Sequence, residues 1–405
     1  MRIAIIGSGV SGLVAARLLA RLHEVTLFEA EARVGGHVHT WDLPAGGRTW
    51  AVDSGFIVYN EQTYPRFCCL LDELGVATQP STMSFSVRAD TAGLEYNPSS
   101  LRQLLAYPGN FLRPSFVRML RDILRFHRLG QSYTGDELLA DFLEHHGFSA
   151  PFRQHYLLPM ASAIWSQPRC RILAMPTAFL LRFFANHGML QVEDRPQWRV
   201  VTGGSRRYVE ALLASFPHRR RTGTAVRRVA RFSDRVEVDG EPFDRVVLAC
   251  HSDQALEMLA DPSPAEREIL GALPYQTNDA VLHTDTSMLP RRRAAWAAWN
   301  YTVEGTTEAP ATVTYNMNIL QGLAAPETFL VTLNPTSPVA PERVLGRVRY
   351  HHPVFTAEGT QAQQRRSEIS GVNRTHYCGA YWSYGFHEDG VKSGEAAAAE
   401  LERGP

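Results

Sequence analysis

Ile3-Ala4-Ile5-Ile6-Gly7-Ser8-Gly9-Val10-Ser11-Gly12 is the stretch that decides the fold. Ile3 to Ile6 reads as a short buried strand. Leu13 to Leu22 reads as an Ala/Leu/Arg-rich helix, and His23 to Glu29 as a second strand ending in an acid. The order is strand, glycine loop, helix, strand, acid, and each part has a physical job. Gly7 allows a tight turn, Gly9 lets a pyrophosphate approach the backbone, and Gly12 lets helix and strand pack closely. The helix start, from Ser11, offers free N–H groups and a positive dipole end to phosphates. Glu29 stands where a carboxylate accepts hydrogen bonds from ribose hydroxyls. The complete context predicts dinucleotide binding rather than a bare glycine turn.

The rest of the chain bounds the possibilities. At about 150 residues per domain, 405 residues predict two to three domains with a large core. Hydrophobic residues at 44% and charged residues at 20% argue against disorder. Equal numbers of basic and acidic residues, 41 each, give no reason to expect a nucleic-acid partner. The basic residues are arginine except for Lys392. Cys68, Cys69, Cys170, Cys250 and Cys378 form no C-x-x-C pair, so neither a disulfide framework nor a metal site is expected. A reducing, cytoplasmic location fits best. The opening apolar run is too short for a signal peptide, and arginines interrupt every candidate membrane span.

After Glu29 the chain reads Ala30-Glu31-Ala32-Arg33-Val34-Gly35-Gly36-His37. This resembles the E-x-x-x-R-x-G-G-R stretch of the amine oxidase and phytoene desaturase superfamily of FAD enzymes. The resemblance implies that Glu29, Ala30, Arg33, Gly35 and Gly36 hold the adenosine, pyrophosphate and ribityl parts of a non-covalent FAD. His37 departs from the family's final arginine. Asp53-Ser54-Gly55-Phe56-Ile57 is similar to the short D-x-G element that approaches the flavin, so Gly55, Phe56 and Ile57 join the expected contacts. Thr202-Gly203-Gly204-Ser205 resembles the segment that returns the family chain to its FAD domain. Thr224 to Val229 then reads as a strand, in which Val226 matches a residue that contacts adenine through its backbone. Phe243 to Cys250 is a further buried strand.

The C-terminal run His376-Tyr377-Cys378-Gly379-Ala380 and Gly385-Phe386-His387-Glu388-Asp389-Gly390-Val391, followed by a strong helix former, resembles the second half of the family's FAD site. Gly379, His37, Glu388, Gly390 and Val391 are therefore expected at the cofactor. Such a helix start would stabilise the negative charge of reduced flavin. Ala380 stands where the family often has an acid.

Between these motifs, residues 100 to 190 read as mostly helical. Arginines 113, 118, 121, 125 and 128 alternate there with apolar residues, a basic amphipathic pattern over 113–128. Its simpler reading is a solvated face over a core; the other is contact with an anionic membrane surface. From about 275 the pattern changes to alternating strands, at Ala280–His283, Trp296–Val303, Ala311–Met317 and Phe329–Leu333. His351-His352-Pro353 is a lone polar cluster.

The expected architecture is α/β. A Rossmann-type FAD domain, interrupted in sequence, spans 1–95, 196–265 and 366–405. A substrate domain of mixed sheet and helices spans 96–195 (helical) and 266–365 (strand-rich). Nearly the whole chain also resembles bacterial NAD/FAD-binding flavoproteins often encoded beside cyclopropane-fatty-acyl synthases. That implies an FAD-dependent oxidoreductase on a lipid, fatty-acyl or other small apolar substrate, with His387, Glu388 and Tyr59 as the polar groups near the ring. The alternatives are a flavin amine oxidase, disfavoured because many such enzymes use a mid-chain lysine, and a non-catalytic lipid-binding protein of the same fold. No motif speaks to oligomeric state.

Overall fold

A computed structural model describes residues 1–105, 107–191 and 196–403. Its first sheet is parallel throughout. The five strands are β1 (Arg2–Ile6), β2 (Glu24–Phe28), β3 (Arg219–Arg221), β4 (Arg245–Leu248) and β5 (Thr375–Tyr377), in the order β3-β2-β1-β4-β5. Ile3, Ala4 and Ile5 are fully buried, as a strand covered on both faces requires. The order reverses between β1 and β4, where a doubly wound sheet opens a crevice beyond its carboxyl edge.

Six helices position that crevice: α1 (Val10–Leu19), α2 (Pro65–Glu73), α3 (Pro114–Gly130), α4 (Thr177–Asn186), α5 (Arg206–Ala214) and α6 (His387–Arg403). Helix α1 is pressed between the sheet and α6. A Cβ on Gly12 would lie 2.1 Å from the Gly7 carbonyl oxygen, and one on Gly7 would lie 2.6 Å from that of Ala249. On the other side, a Cβ on Gly394 would lie 2.4 Å from the Ser11 carbonyl oxygen, and one on Gly390 would lie 2.5 Å from Val10 Cγ1. Gly390 thus packs two helices together. Its neighbour Val391 is buried in the same core.

The second layer is a seven-stranded sheet in the order Val344–Pro353, Tyr275–His283, Leu330–Leu333, Thr312–Asn316, Trp299–Thr302, Phe85–Ala89, Leu94–Tyr96. The four strands expected after 275 all lie in it. The last two strands in that order, Phe85–Ala89 and Leu94–Tyr96, begin before the expected domain boundary at 95. Trp299–Thr302 pairs with Phe85–Ala89 in parallel and draws this segment into the substrate layer. The expected boundary at 195 lies outside the described residues. The helices between Pro114 and Asn186 share one apolar core with this sheet. A second correction concerns the strand expected from Thr224, which begins only at Val229. The Asp239 carboxylate takes the backbone N–H groups of Arg227 and Arg228 and holds the segment at Val226 off the ladder. Among the described residues, no helix is long and apolar enough to cross a membrane.

The two layers are stapled by one buried carboxylate. Asp53 ends the strand Arg48–Asp53 with no exposed surface. Its Oδ1 accepts from Thr40 Oγ1 at 2.5 Å, Ser205 Oγ at 2.8 Å and Ser205 N at 3.0 Å. Its Oδ2 accepts from Gln321 Nε2 at 3.1 Å, while Asp53 N donates to Gln321 Oε1 at 2.9 Å. Ser205 opens α5 in the nucleotide layer, and Gln321 follows the short helix Met317–Leu320 beneath the second sheet. Removing the acceptor leaves several buried donors unpaired. Asp53→Ala is expected to lower unfolding free energy by about 3 kcal/mol or more, and Thr40→Val by about 1 kcal/mol, read from urea midpoints.

Candidate functional site

The glycine turn lies at the carboxyl end of β1. Gly9 is the N-cap of α1 and brings no side-chain cap, which leaves the first N–H groups of the helix facing outward. A Cβ on Gly9 would meet no atom within 4 Å. An open cradle in front of an uncapped helix start fits a diphosphate. Glu29 braces this turn: its Oε2 accepts from Ser8 N at 3.0 Å and Ser8 Oγ at 2.5 Å, and its Oε1 from Glu31 N at 3.0 Å. Ser8 Oγ in turn accepts from Gly35 N at 3.1 Å, so the acid, the turn and the paired glycines form one unit. Gly36 has φ +57°, and a Cβ there would come within 3.0 Å of Gly9 Cα. The Arg33 guanidinium is spent on the Val38 carbonyl and on Glu31, and Ala30 is exposed.

His37 is backed by the D-x-G element. A Cβ on Gly55 would lie 1.9 Å from the His37 carbonyl oxygen, and Phe56 N donates to that oxygen at 2.9 Å. Ile57 is buried beside them. Around the His37 ring stand Tyr350 at 5.1 Å, His352 at 5.2 Å and His251 at 6.2 Å between centroids. Burial, followed by the neighbouring His251, His387 and Arg33, pushes the His37 pKa down to about 3. Burial likewise pulls His352 to about 3 and His251 to about 4. The structure places a group of neutral imidazoles where the family resemblance has an arginine. The sequence did not single out His251, and it showed His352 only as part of a lone polar cluster. His251 follows the last residues of β4 at the carboxyl edge of the sheet, a position that marks ligand crevices. Nothing local ties His352 to the glycine motifs; only pairing with Tyr275–His283 brings it in.

The C-terminal motif closes the crevice from the far side. Gly379 N donates to Ser393 Oγ at 3.0 Å, tying the end of β5 to α6. Tyr381 is buried, and its hydroxyl has no hydrogen-bond partner among the described residues. His387 opens α6 with its ring stacked on Phe56 at 3.4 Å and its Nε2 2.9 Å from Tyr208 Oη. Burial holds its pKa near 3, so it stays neutral. Tyr59 is buried against Phe67, with Thr78 and Arg199 at its hydroxyl.

Next to this end of α6 is a cavity of about 850 Å³, walled by Tyr64, His187, Trp382, Tyr384 and Phe386 among others. Neither His387 nor Tyr59 lines it. Glu388 and Asp389 do, yet both are engaged by helix starts. Helix α2 begins at Pro65 behind a Tyr64 that supplies no side-chain cap. Glu388 caps it from outside, accepting from Phe67 N at 3.0 Å and Arg66 N at 3.2 Å. Lys392 Nζ lies 3.3 Å from the same carboxylate. Asp389 reaches back to Phe386 N at 3.0 Å and caps its own helix. Burial raises the Asp389 pKa to about 6. Among the described residues, no group of three or more His, Cys, Asp or Glu side chains is placed to hold a metal ion.

The sequence profile described as "flavin containing amine oxidoreductase" matches residues 10–334. An L-amino-acid oxidase from Siganus canaliculatus is 26% identical over 323 residues, which is 70% of this chain and 57% of that protein. The chain therefore spans little more than half the length of this relative. Cyclohexylamine oxidase from Brevibacterium oxydans IH-35A superposes with a TM-score of 0.70 at 16% identity, covering 99% of both chains. A fatty acid isomerase from P. acnes, described as CLA-producing, superposes with a TM-score of 0.67 at 16% identity, covering 99% of this chain and 98% of that one. At this identity the two structures establish a shared fold.

Two outcomes follow from the geometry. Gly9→Ala should leave the unfolding midpoint nearly unchanged while flavin content of the purified protein falls; Gly12→Ala, with no room for its methyl group, should lower both. The neutral imidazoles also set a pH dependence. A histidine whose folded pKa lies below its unfolded value near 6.5 contributes stability above that pH and loses it as pH falls towards 3 to 4. Asp53 and Asp389, both raised to about 6, act oppositely between pH 4 and 6. The more numerous histidines should prevail, so urea midpoints should drop below pH 6.5, and His352→Asn should flatten the slope by up to about 1.4 kcal/mol per pH unit.

Proposed function

The chain belongs to the family of flavin containing amine oxidoreductases, with FAD as cofactor, and from that premise we propose that its substrate is a lipid or fatty-acyl chain, oxidised or reduced at a C–C or C=C unit. One observation carries the reading. Tyr64, His187, Trp382, Tyr384 and Phe386 stand in the wall of the cavity beside α6, among glutamines, serines, Arg366 and Lys392, and both acids in that wall already serve backbone N–H groups at helix starts. A cationic amine entering it would meet only carboxylates that are already hydrogen-bonded, with Arg366 and Lys392 in the same wall, whereas an acyl chain can lie along the rings. The resemblance to flavoproteins encoded beside cyclopropane-fatty-acyl synthases supports the same substrate class.

The residues divide the work accordingly. Gly9, the α1 start and Gly36 receive the diphosphate; Glu29 keeps that turn rigid and faces the adenosine side. Bound FAD would supply two-electron chemistry at the crevice. The start of α6 aims its positive end there, favouring a reduced, negatively charged ring. Phe386, Tyr384 and Tyr64 orient the chain, and Phe56 with His387 packs behind them, outside the cavity. His387, Glu388 and Tyr59, expected as the polar groups near the ring, take structural parts in this reading: a stacked neutral ring, an external helix cap and a buried phenol.

A second reading, oxidation of an amine, is favoured by the amino-acid and cyclohexylamine oxidases among its relatives. Anaerobic titration of the holoprotein separates the two. Fatty-acyl lipids are expected to change the flavin spectrum, by bleaching the oxidised form or reoxidising the reduced one, while monoamines and polyamines leave it unaltered. Rapid bleaching by an amine and silence with every lipid would overturn the proposal. Phe386→Ala should weaken acyl binding about tenfold with little change in flavin content.

A further inference from the structure

From Asn97 to Gly135 the sequence carries six arginines and a single acid, Asp122, in a chain whose charges balance overall. Helix α3 shows how that imbalance is displayed. Phe116, Met119, Ile123 and Phe126 face inward, and so does Asp122, whose carboxylate accepts from Ser149 N at 3.0 Å. The outward face holds Ser115, Arg118, Arg121, Leu124, Arg125 and Arg128, all exposed. Among the described residues no carboxylate lies within ion-pair distance of Arg118, Arg121 or Arg128. Arg113 and Arg125 are held by backbone carbonyls, which orient their charge without cancelling it. Three leucines complete the surface: Leu112 is 86% exposed, Leu124 56% and Leu105 48%. Large exposed apolar side chains are few elsewhere in the molecule, and this stretch concentrates three of them among unpaired cations.

We propose that α3 and the turn before it dock on an anionic lipid bilayer, with Leu105, Leu112 and Leu124 entering the interface and Arg118, Arg121 and Arg128 meeting lipid phosphates. Charge complementarity selects this occupant: the face has no outward acid and its leucines are flanked by the residue best suited to phosphate. The leucines distinguish it from a purely basic face that binds polyanions in solution. Helix α3 packs on α4, with Phe126 and Phe184 at 6.3 Å and Leu181 against Gly130. The far end of α4, at Ala185 to His187, lines the cavity. One helix therefore runs from the docking face to the cavity wall. The docking face does not depend on what the cavity holds, so it stands or falls apart from the substrate assignment.

The test is co-sedimentation of the flavin-loaded protein with large vesicles of phosphatidylcholine, alone or with about a third phosphatidylglycerol. Binding is expected only to the anionic vesicles, with release as salt rises. Arg118→Glu/Arg121→Glu/Arg128→Glu should weaken it about 100-fold or more, since each cation near an anionic surface is worth about fivefold. Leu112→Asp/Leu124→Asp should also abolish it at physiological salt. All these side chains are exposed, so both variants should keep wild-type flavin spectra and unfolding midpoints; a variant that does not is replaced by Arg118→Gln/Arg121→Gln or Leu112→Ser/Leu124→Ser. No binding to anionic vesicles, equal binding to neutral ones, or binding unchanged by charge reversal overturns the proposal. Salt-sensitive binding that survives loss of the leucines overturns leucine insertion, and capture by an acidic polymer with no vesicle binding assigns the face to a soluble polyanion instead.

Discussion

The approach of α1 to its two neighbours is the constraint on which the rest depends. Gly7 and Gly12 let the helix sit against β1 and β4, and Gly390 and Gly394 let α6 sit against the helix. No other residue type fits at Gly7, Gly12 or Gly394 without moving backbone, or at Gly390 without moving the Val10 side chain. The consequence is directional. With both sides in contact, α1 cannot rotate or slide, and its start stays aimed at the mouth between β1 and β4. Two helix starts, those of α1 and α6, then converge on one crevice from opposite ends of the sequence. A static field of partial charges is thereby built from backbone alone, before any charged side chain is counted.

Carboxylates serve this frame more than they serve chemistry. Asp53 gathers donors from three separate segments and so fixes how the two layers meet. Glu388 finishes α2 from a distance of more than three hundred residues, and Asp389 finishes α6. The expectation of Glu388 as a polar group near the ring came from its place in a cofactor motif. Its buried lone pairs are consumed by N–H groups that Pro65 and Tyr64 leave without a local cap. An acid in a glycine-rich motif is as readily a brace as a reactant, and the sequence alone does not separate the two.

What was legible in the sequence was local. The strand, turn, helix and acid of residues 3 to 29 are contiguous, and so are the glycines and aromatics of 376 to 394, so their meaning survives without coordinates. The alternation of residues 280 to 333 likewise announced strands that exist. The failures all involve partners far away in the chain. The strands at 85 to 96 look no different from the β-rich stretch before them until Trp299–Thr302 pairs with them. The segment at Val226 has strand-like residues, yet Asp239 claims its N–H groups. The imidazole group assembles from positions 37, 251 and 352, which no local pattern links to one another.

The exposed face of α3 carries a consequence that lies in the choice of cation. Every positive charge on it is a guanidinium; the chain's single ammonium side chain, Lys392, lies on α6. Guanidinium groups keep their proton at any pH a cell reaches and are not acylated by the enzymes that silence lysine. The charge of this face is therefore permanent. Whatever it touches must be regulated from the other side, by the composition of the opposing surface or by the ions between them, because the protein has kept no means of turning its own charge off.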